Sequence, residues 1–220
     1  MATALITGAN RGIGLEFCRQ LQARGDKVIA VCRSDSAELE ATGVRVERNI
    51  DVTDDRSTEK LAAALGDIRL DLLVNNAGIL QRTPLDELDF DVLRAQFEVN
   101  ALGPLRVTRA LLSHMAPHSR IALITSRMGS ITDNTSGGSY GYRMSKAALN
   151  IAGKSLAHDL AARHISVALL HPGHVKTDMT GHTGNSDPKT AVADLLQRID
   201  ELTLATSGTF WHANGEILPW

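Results

Sequence analysis

Ala2-Thr3-Ala4-Leu5-Ile6-Thr7-Gly8-Ala9-Asn10-Arg11-Gly12-Ile13-Gly14-Leu15-Glu16-Phe17-Cys18-Arg19-Gln20-Leu21 runs from an apolar stretch of strand length, through three glycines, into helix-forming sequence. A strand that feeds a glycine-rich turn at a helix N-terminus is a physical recipe for holding a pyrophosphate. Glycines let the backbone come close, and the free N–H groups and positive dipole end of the helix face the anion. The spacing is G-x-x-x-G-x-G, so Gly8, Asn10, Arg11, Gly12, Ile13 and Gly14 are candidate contacts. A tight turn needing positive φ would produce the same glycines without a ligand.

Outward from this stretch, strand-like runs at 27–32, 44–48, 70–75, 119–125, 165–170 and 207–218 follow the first at 2–7. Helical sequence fills 12–24, 55–65, 86–116 (in one piece or two), 140–163 and 188–203. Strands alternating with helices argue for a doubly wound α/β sheet, parallel and covered on both faces, because right-handed crossovers put helices there. A chain of 220 residues with 43% hydrophobic content can bury one sizeable core, so a single domain over 1–220 is expected. The net charge of −2 gives no electrostatic draw to nucleic acid or membrane surfaces. No apolar run approaches the ~18–20 residues of a spanning helix. Two cysteines, Cys18 and Cys32, suit a reducing compartment, and a strand beginning at Ala2 leaves no room for a signal peptide. The cytoplasm is therefore the expected location.

Three further motifs lie at strand or helix ends. Asn75-Asn76-Ala77-Gly78 follows Leu70–Val74, beyond a strand's C-terminal end, where ligands of open α/β sheets lie. Ser126 follows Ile121–Thr125 in the same way, where a helix cap is its commonplace role. Tyr142 and Lys146 stand one helical turn apart on one face. An ammonium there would stabilise a phenolate and lower a phenol pKa that is near ~10 when unperturbed. His114 and His118 share helical spacing, and His171 and His174 flank a Pro-Gly turn, but neither pair has a third ligand in view, so no metal is expected.

Together these motifs resemble the short-chain dehydrogenase/reductase family, in its single-domain branch. Thr7–Gly14, Asn75–Gly78, Asn100, Ser126, Tyr142/Lys146 and Pro172-Gly173-His174-Val175-Lys176-Thr177 occur in family order. The resemblance implies a Rossmann-type, seven-stranded parallel sheet and hydride transfer between NADP(H) or NAD(H) and a carbonyl or alcohol. Tyr142 would give the proton in reduction and take it in oxidation. Lys146 would lower the Tyr142 pKa and hold the nicotinamide ribose, and Ser126 would polarise the substrate oxygen. Asn100, in a helix, would organise a water-linked relay to Lys146. Asn76, Ala77, Gly78, Asp51, Val52, Pro172, Gly173, Val175 and Thr177 would complete the cofactor site, with Asp51 on the adenine and Thr177 on the carboxamide. Asp51 also reads as a cap for the helix that follows. Ser126 stands sixteen residues before Tyr142, a longer gap than the family's usual one, and Ser130, twelve before, is its rival. Ser126 is preferred because it follows the strand directly, and the polar loop 132–138 can absorb the extra residues.

At the end of the second strand an acidic residue would select NAD and repel a 2′-phosphate. Here Cys32 and Arg33 stand instead, and Arg11 adds a second guanidinium, so NADPH is expected over NADH. The stretch Ile124–Leu149 and the ending Gly215–Trp220 are similar to C-factor and sniffer-type carbonyl reductases. That likeness implies a small aldehyde, ketone or quinone as substrate. The alternatives are an alcohol dehydrogenase working in the oxidative direction and a non-catalytic NADPH-binding regulator. Residues 179–188 could be a plain loop or a mobile lid over the substrate; their place after Thr177 resembles the family's substrate-binding loop, so a lid is expected. Helices 86–116 and 140–163 form a dimer face in this family, so a homodimer is expected.

Overall fold

The computed structural model describes residues 1–220. Its strands are β1 (Thr3–Thr7), β2 (Lys27–Val31), β3 (Arg45–Glu47), β4 (Leu70–Asn75), β5 (Met115–Ile124), β6 (Ser166–His171) and β7 (Phe210–His212). The main helices are α1 (Gly12–Ala23), α2 (Ala37–Glu40), α3 (Asp55–Leu65), α4 (Phe90–Phe97), α5 (Gly103–Leu111), α6 (Tyr140–Asp159) and α7 (Pro188–Asp200). All seven strands join one sheet in the order β3-β2-β1-β4-β5-β6-β7, every neighbouring pair parallel. Winding runs outward from β1 to β3, then returns to β4 on the other side. The strand order therefore reverses between β1 and β4, and that switch point opens a crevice at their C-terminal ends.

Both faces of β1, β2, β4, β6 and the second half of β5 are buried, which is why they read as continuous apolar runs rather than as alternating ones. Ala4 and Ile6 of β1 pack beneath α1 and α7 in a cluster of 23 buried residues. Leu5, between them, joins a cluster of 22 beneath α3, α5 and α6. The two clusters are nearly equal, as a doubly covered sheet requires. No helix is long and apolar enough to cross a membrane.

The structure differs from expectation at β5 and at the last strand. Strand β5 begins at Met115, inside the stretch expected to be helical, and its register with β4 shifts between Leu70 and Leu72. Pro117 lacks an N–H for the ladder, and His118 takes φ +67°, so the strand is irregular there and its sequence does not read as strand. The helical stretch from 86 does come in pieces, joined by a π-turn at Glu98–Leu102, with Pro104 in the first turn of α5. The last strand is only Phe210–His212. The chain then reverses at Asn214-Gly215, where Gly215 has φ +97°, and Ile217 pairs back antiparallel on Trp211.

Candidate active site and cofactor cleft

The glycine turn and the Asn-Ala-Gly turn are stapled to one another across the switch point. Thr7 Oγ1 accepts from the N–H groups of Asn76 and Ala77 at 3.0 and 3.1 Å. Asn76 Nδ2 donates to the carbonyls of Thr7 and Gly8 at 3.0 and 3.1 Å. Gly8, at φ +64°, has no room for a side chain: a Cβ would stand 2.8 Å from Ala77 Cα. Arg11, the residue before α1, is extended and makes no side-chain cap, so the first N–H groups of the helix are left for a ligand.

These groups line a cavity of ≈ 430 Å³. Its wall takes in Gly8, Asn10–Ile13, Arg33, Asp51, Val52, Asn76–Gly78 and Thr177 of the expected cofactor set. It also takes in Ser34, Ile50, Ile79, Val99, Asp178 and Met179, which the motifs did not mark. Gly14 lies behind the wall, packed on Gly8. Pro172, Gly173 and Val175 do not line it; Val175 is buried and bridges to Ser186.

Two cations face the outer end of the cleft. Arg11 is 72% exposed, 3.7 Å from Asp178, and Arg33 is 68% exposed, 4.0 Å from Asp51. Both pairs are at the limit of ion-pair contact, so the guanidiniums are free to turn. Asp35, the nearest acid past β2, is turned away onto Arg48 at 2.5 Å and is absent from the cavity wall. Asp51 is pushed up by burial but pulled further down by hydrogen bonds from Thr53 and by the Arg33 charge, so it lies below the usual carboxylate range. It does not cap α3; Asp54 does, accepting from the N–H groups of Arg56 and Ser57.

Beyond Gly78, outside the cavity wall, stand Ser126, Tyr142 and Lys146, all buried. Gly78 is the joint between cleft and cluster: a Cβ on it would be 3.2 Å from Asn100 Oδ1 and 3.8 Å from Lys146 Nζ. Lys146 Nζ donates to the Ile124 carbonyl at 2.8 Å and lies 5.7 Å from the centre of the Tyr142 ring. Burial pushes the Tyr142 phenol up to about 12, against a lowering hydrogen bond from Ser126. Burial brings Lys146 down to about 8. Desolvation is the largest effect on the Tyr142 phenol, and the Lys146 ammonium is directed at the Ile124 carbonyl.

Asn100 lies in the π-turn with its amide clamped to Ile79, accepting from the N–H at 2.8 Å and donating to the carbonyl at 2.9 Å. Its Nδ2 also meets Ser145 Oγ, which in turn donates to the Tyr142 carbonyl. Gln96, one turn before Asn100 and fully buried, accepts from the Gln81 N–H at 3.0 Å. Sequence reasoning missed it; the signal was two carboxamides at i and i+4 on one helix face. Ser130 donates to the Trp220 main-chain oxygen and accepts from the Asp133 N–H, whereas Ser126 accepts from the Met128 N–H and stands beside the Tyr142 phenol. The segment expected as a lid forms a short 3-10 turn at Asp178–Thr180, stitched by a Thr177/Thr180 capping box.

A model of the short chain dehydrogenase family matches residues 2–188. The chain is 44% identical to 1-hydroxy-2-glutathionyl-2-methyl-3-butene dehydrogenase of Rhodococcus sp. (strain AD45), covering 100% of both proteins. It is also 44% identical to C-signal of Myxococcus xanthus, over 69% of this chain and 93% of that protein. Among solved structures, carbonyl reductase Sniffer of D. melanogaster superposes with a TM-score of 0.93 at 31% identity, covering 100% of each chain. NADPH-bound carbonyl reductase from chicken fatty liver superposes with a TM-score of 0.91 at 29% identity, covering 100% of this chain and 99% of that one. Fold, cleft and matches agree with the resemblance carried by the six motifs: the chain belongs to the short-chain dehydrogenase family of oxidoreductases.

Proposed function

We propose that the protein is an NADPH-dependent carbonyl reductase acting on a small aldehyde, ketone or quinone, with residues 1–220 as one catalytic domain. The observation that carries this reading is the buried Ser126–Tyr142–Lys146 cluster beyond Gly78, adjoining a cleft built for a pyrophosphate. NADPH, when bound, supplies the hydride. The glycine turn and the N-terminus of α1 hold its phosphates, and Asp51 and Val52 face the adenine. Arg11 and Arg33 grip a 2′-phosphate, and no carboxylate beyond β2 opposes them, since Asp35 is turned away onto Arg48. Thr177 holds the carboxamide.

Charge grows on the substrate oxygen as its carbon is reduced. Ser126 donates to that oxygen, and Tyr142 gives it the proton. Tyr142 is a phenol and carries its proton at neutral pH, so it holds the proton that a reduced carbonyl oxygen takes up. Lys146 stabilises the phenolate left behind, and Asn100 organises the water chain that replaces its proton. Exposed Phe90 on α4 and Met144 and Ile151 on α6 support a homodimer across these helices, which sedimentation at micromolar protein tests. We place the protein in the cytoplasm, on its two free cysteines.

The second reading is oxidation of an alcohol. It is favoured by the full-length relative, whose name describes a hydroxy compound bearing a glutathionyl group. The deciding experiment is initial-rate consumption of NADPH and NADH across a panel of aldehydes, diketones and quinones, with alcohols and NADP⁺ as the reverse arm. Faster turnover with NADPH and a carbonyl is expected. Turnover only with alcohols, or only with NADH, would refute the proposal.

A further inference from the structure

We infer that the segment Asn214–Trp220 is a strap that positions Ser126, acting through the stretch 127–133. The inference rests on the reductase reading, in which Ser126 acts on the substrate oxygen.

After β7 the chain turns back along its own strand. The His212 N–H donates to the Glu216 carbonyl, and the Leu218 N–H donates to the Phe210 carbonyl, both at 2.8 Å. The Trp220 indole stacks on the buried Phe210 ring at 5.6 Å between centroids. This brings the main-chain oxygen of Trp220 to three donors from one short stretch: Ser130 Oγ at 3.0 Å, Ile131 N–H at 3.0 Å and Thr132 N–H at 2.9 Å. Earlier in the strap, Glu216 accepts from Arg127 Nη2 at 2.7 Å. Arg127 is the residue directly after Ser126.

The Ser126 stretch is thus held from two sides. On one side lies α6: a Cβ on Gly129 would be 2.8 Å from the Lys146 carbonyl carbon, and Arg143 Nη1 reaches the Met128 carbonyl at 3.5 Å. On the other side the strap holds Arg127 and residues 130–132. Ser126 accepts from the Met128 N–H, so its own hydroxyl orientation depends on this turn. A donor aimed at growing charge must stay within ~0.5 Å of its productive place. Ser130, the rival serine, is a strap contact in this arrangement.

The test is a double-mutant cycle in the full chain: deletion of Trp220, and separately Glu216→Gln, each in the wild-type and Ser126→Ala backgrounds. The Trp220 deletion should lower kcat about 10-fold in the wild-type background and less than about twofold once Ser126 is gone, because coupled residues are not additive. Glu216→Gln should give a smaller loss with the same pattern. The KM for NADPH should stay within about twofold in each background, since no strap residue lines the cofactor cavity. Equal fold-losses in both backgrounds, or losses that only track the unfolded fraction, would overturn the inference. If wild type turns over no carbonyl or alcohol, the reductase reading itself fails. Amide exchange then judges the strap: unchanged protection of residues 127–132 in both strap variants overturns it.

Discussion

Replacing Gly14 by alanine puts a methyl group where the backbone of the glycine turn already sits. The new Cβ would run into the Gly8 carbonyl oxygen and lie 2.6 Å from Asn76 Nδ2. Neither obstacle is the end of a flexible chain, because Asn76 Nδ2 is tied to the Thr7 and Gly8 carbonyls. Relief requires the two turns to part. Losing those two hydrogen bonds costs about 2 kcal/mol, and residual overpacking adds about 1 kcal/mol. If the strain stays local, about 3 kcal/mol is roughly a 150-fold loss of NADPH affinity. Gly25→Ala is the control: nothing lies within 4 Å of its Cβ, although φ is +87°. It should cost about 1 kcal/mol of stability and leave affinity alone. Fluorescence titration with NADPH and a thermal melt read both quantities. A Gly14→Ala protein that binds NADPH within threefold of wild type and melts with it would refute the stapled-turn account.

Two other outcomes are expected. Alanine at both Arg11 and Arg33 should raise the KM for NADPH by more than about tenfold and leave that for NADH within about twofold, since only the former has a 2′-phosphate for the guanidiniums to hold; equal changes would argue against these cations as the selector. Burial, with help from the neighbouring His212 and Arg127 charges, lowers His171 to about 3, so the folded chain leaves it neutral where the unfolded chain binds a proton. Stability should therefore fall as pH drops from 6.5 towards 3, by up to about 1.4 kcal/mol per pH unit from this residue. His171→Asn should flatten that slope in urea unfolding at pH 7, 5 and 4, and an unchanged slope would remove His171 as its cause.

Residues whose job is local were legible in the sequence. The turn from Thr7 to Gly14 needs glycines for backbone reasons, and β1, β2 and β4 are buried on both faces, so both announce themselves as runs. Less visible were elements decided by distant contacts. Strand β5 extends back through Pro117 and His118, where the His118 N–H meets the His164 carbonyl, a partner that no local pattern points to. The shortened β7 follows from a turn at Asn214-Gly215 that sequence reading had absorbed into one long strand. Helix α2 has only four residues and stands on one buried Leu39 and a Ser36 cap, too little periodicity to see. At the site, the order of Ser126, Tyr142 and Lys146 was plain, but their electrostatics was not. Spacing puts a lysine one turn from a phenol; only the fold reveals that both are buried and that desolvation acts on each.

The central claim is that hydride reaches a carbonyl carbon while Tyr142 gives the proton. Its most direct test follows deuterium from NADPH dideuterated at the nicotinamide C4 into the product alcohol by mass spectrometry, for wild type and Tyr142→Phe, with NADPH binding measured for both. The account predicts one deuterium per NADPH consumed by wild type, and none above background from Tyr142→Phe, although that variant still binds NADPH. Equal deuterium transfer by the two proteins would contradict it.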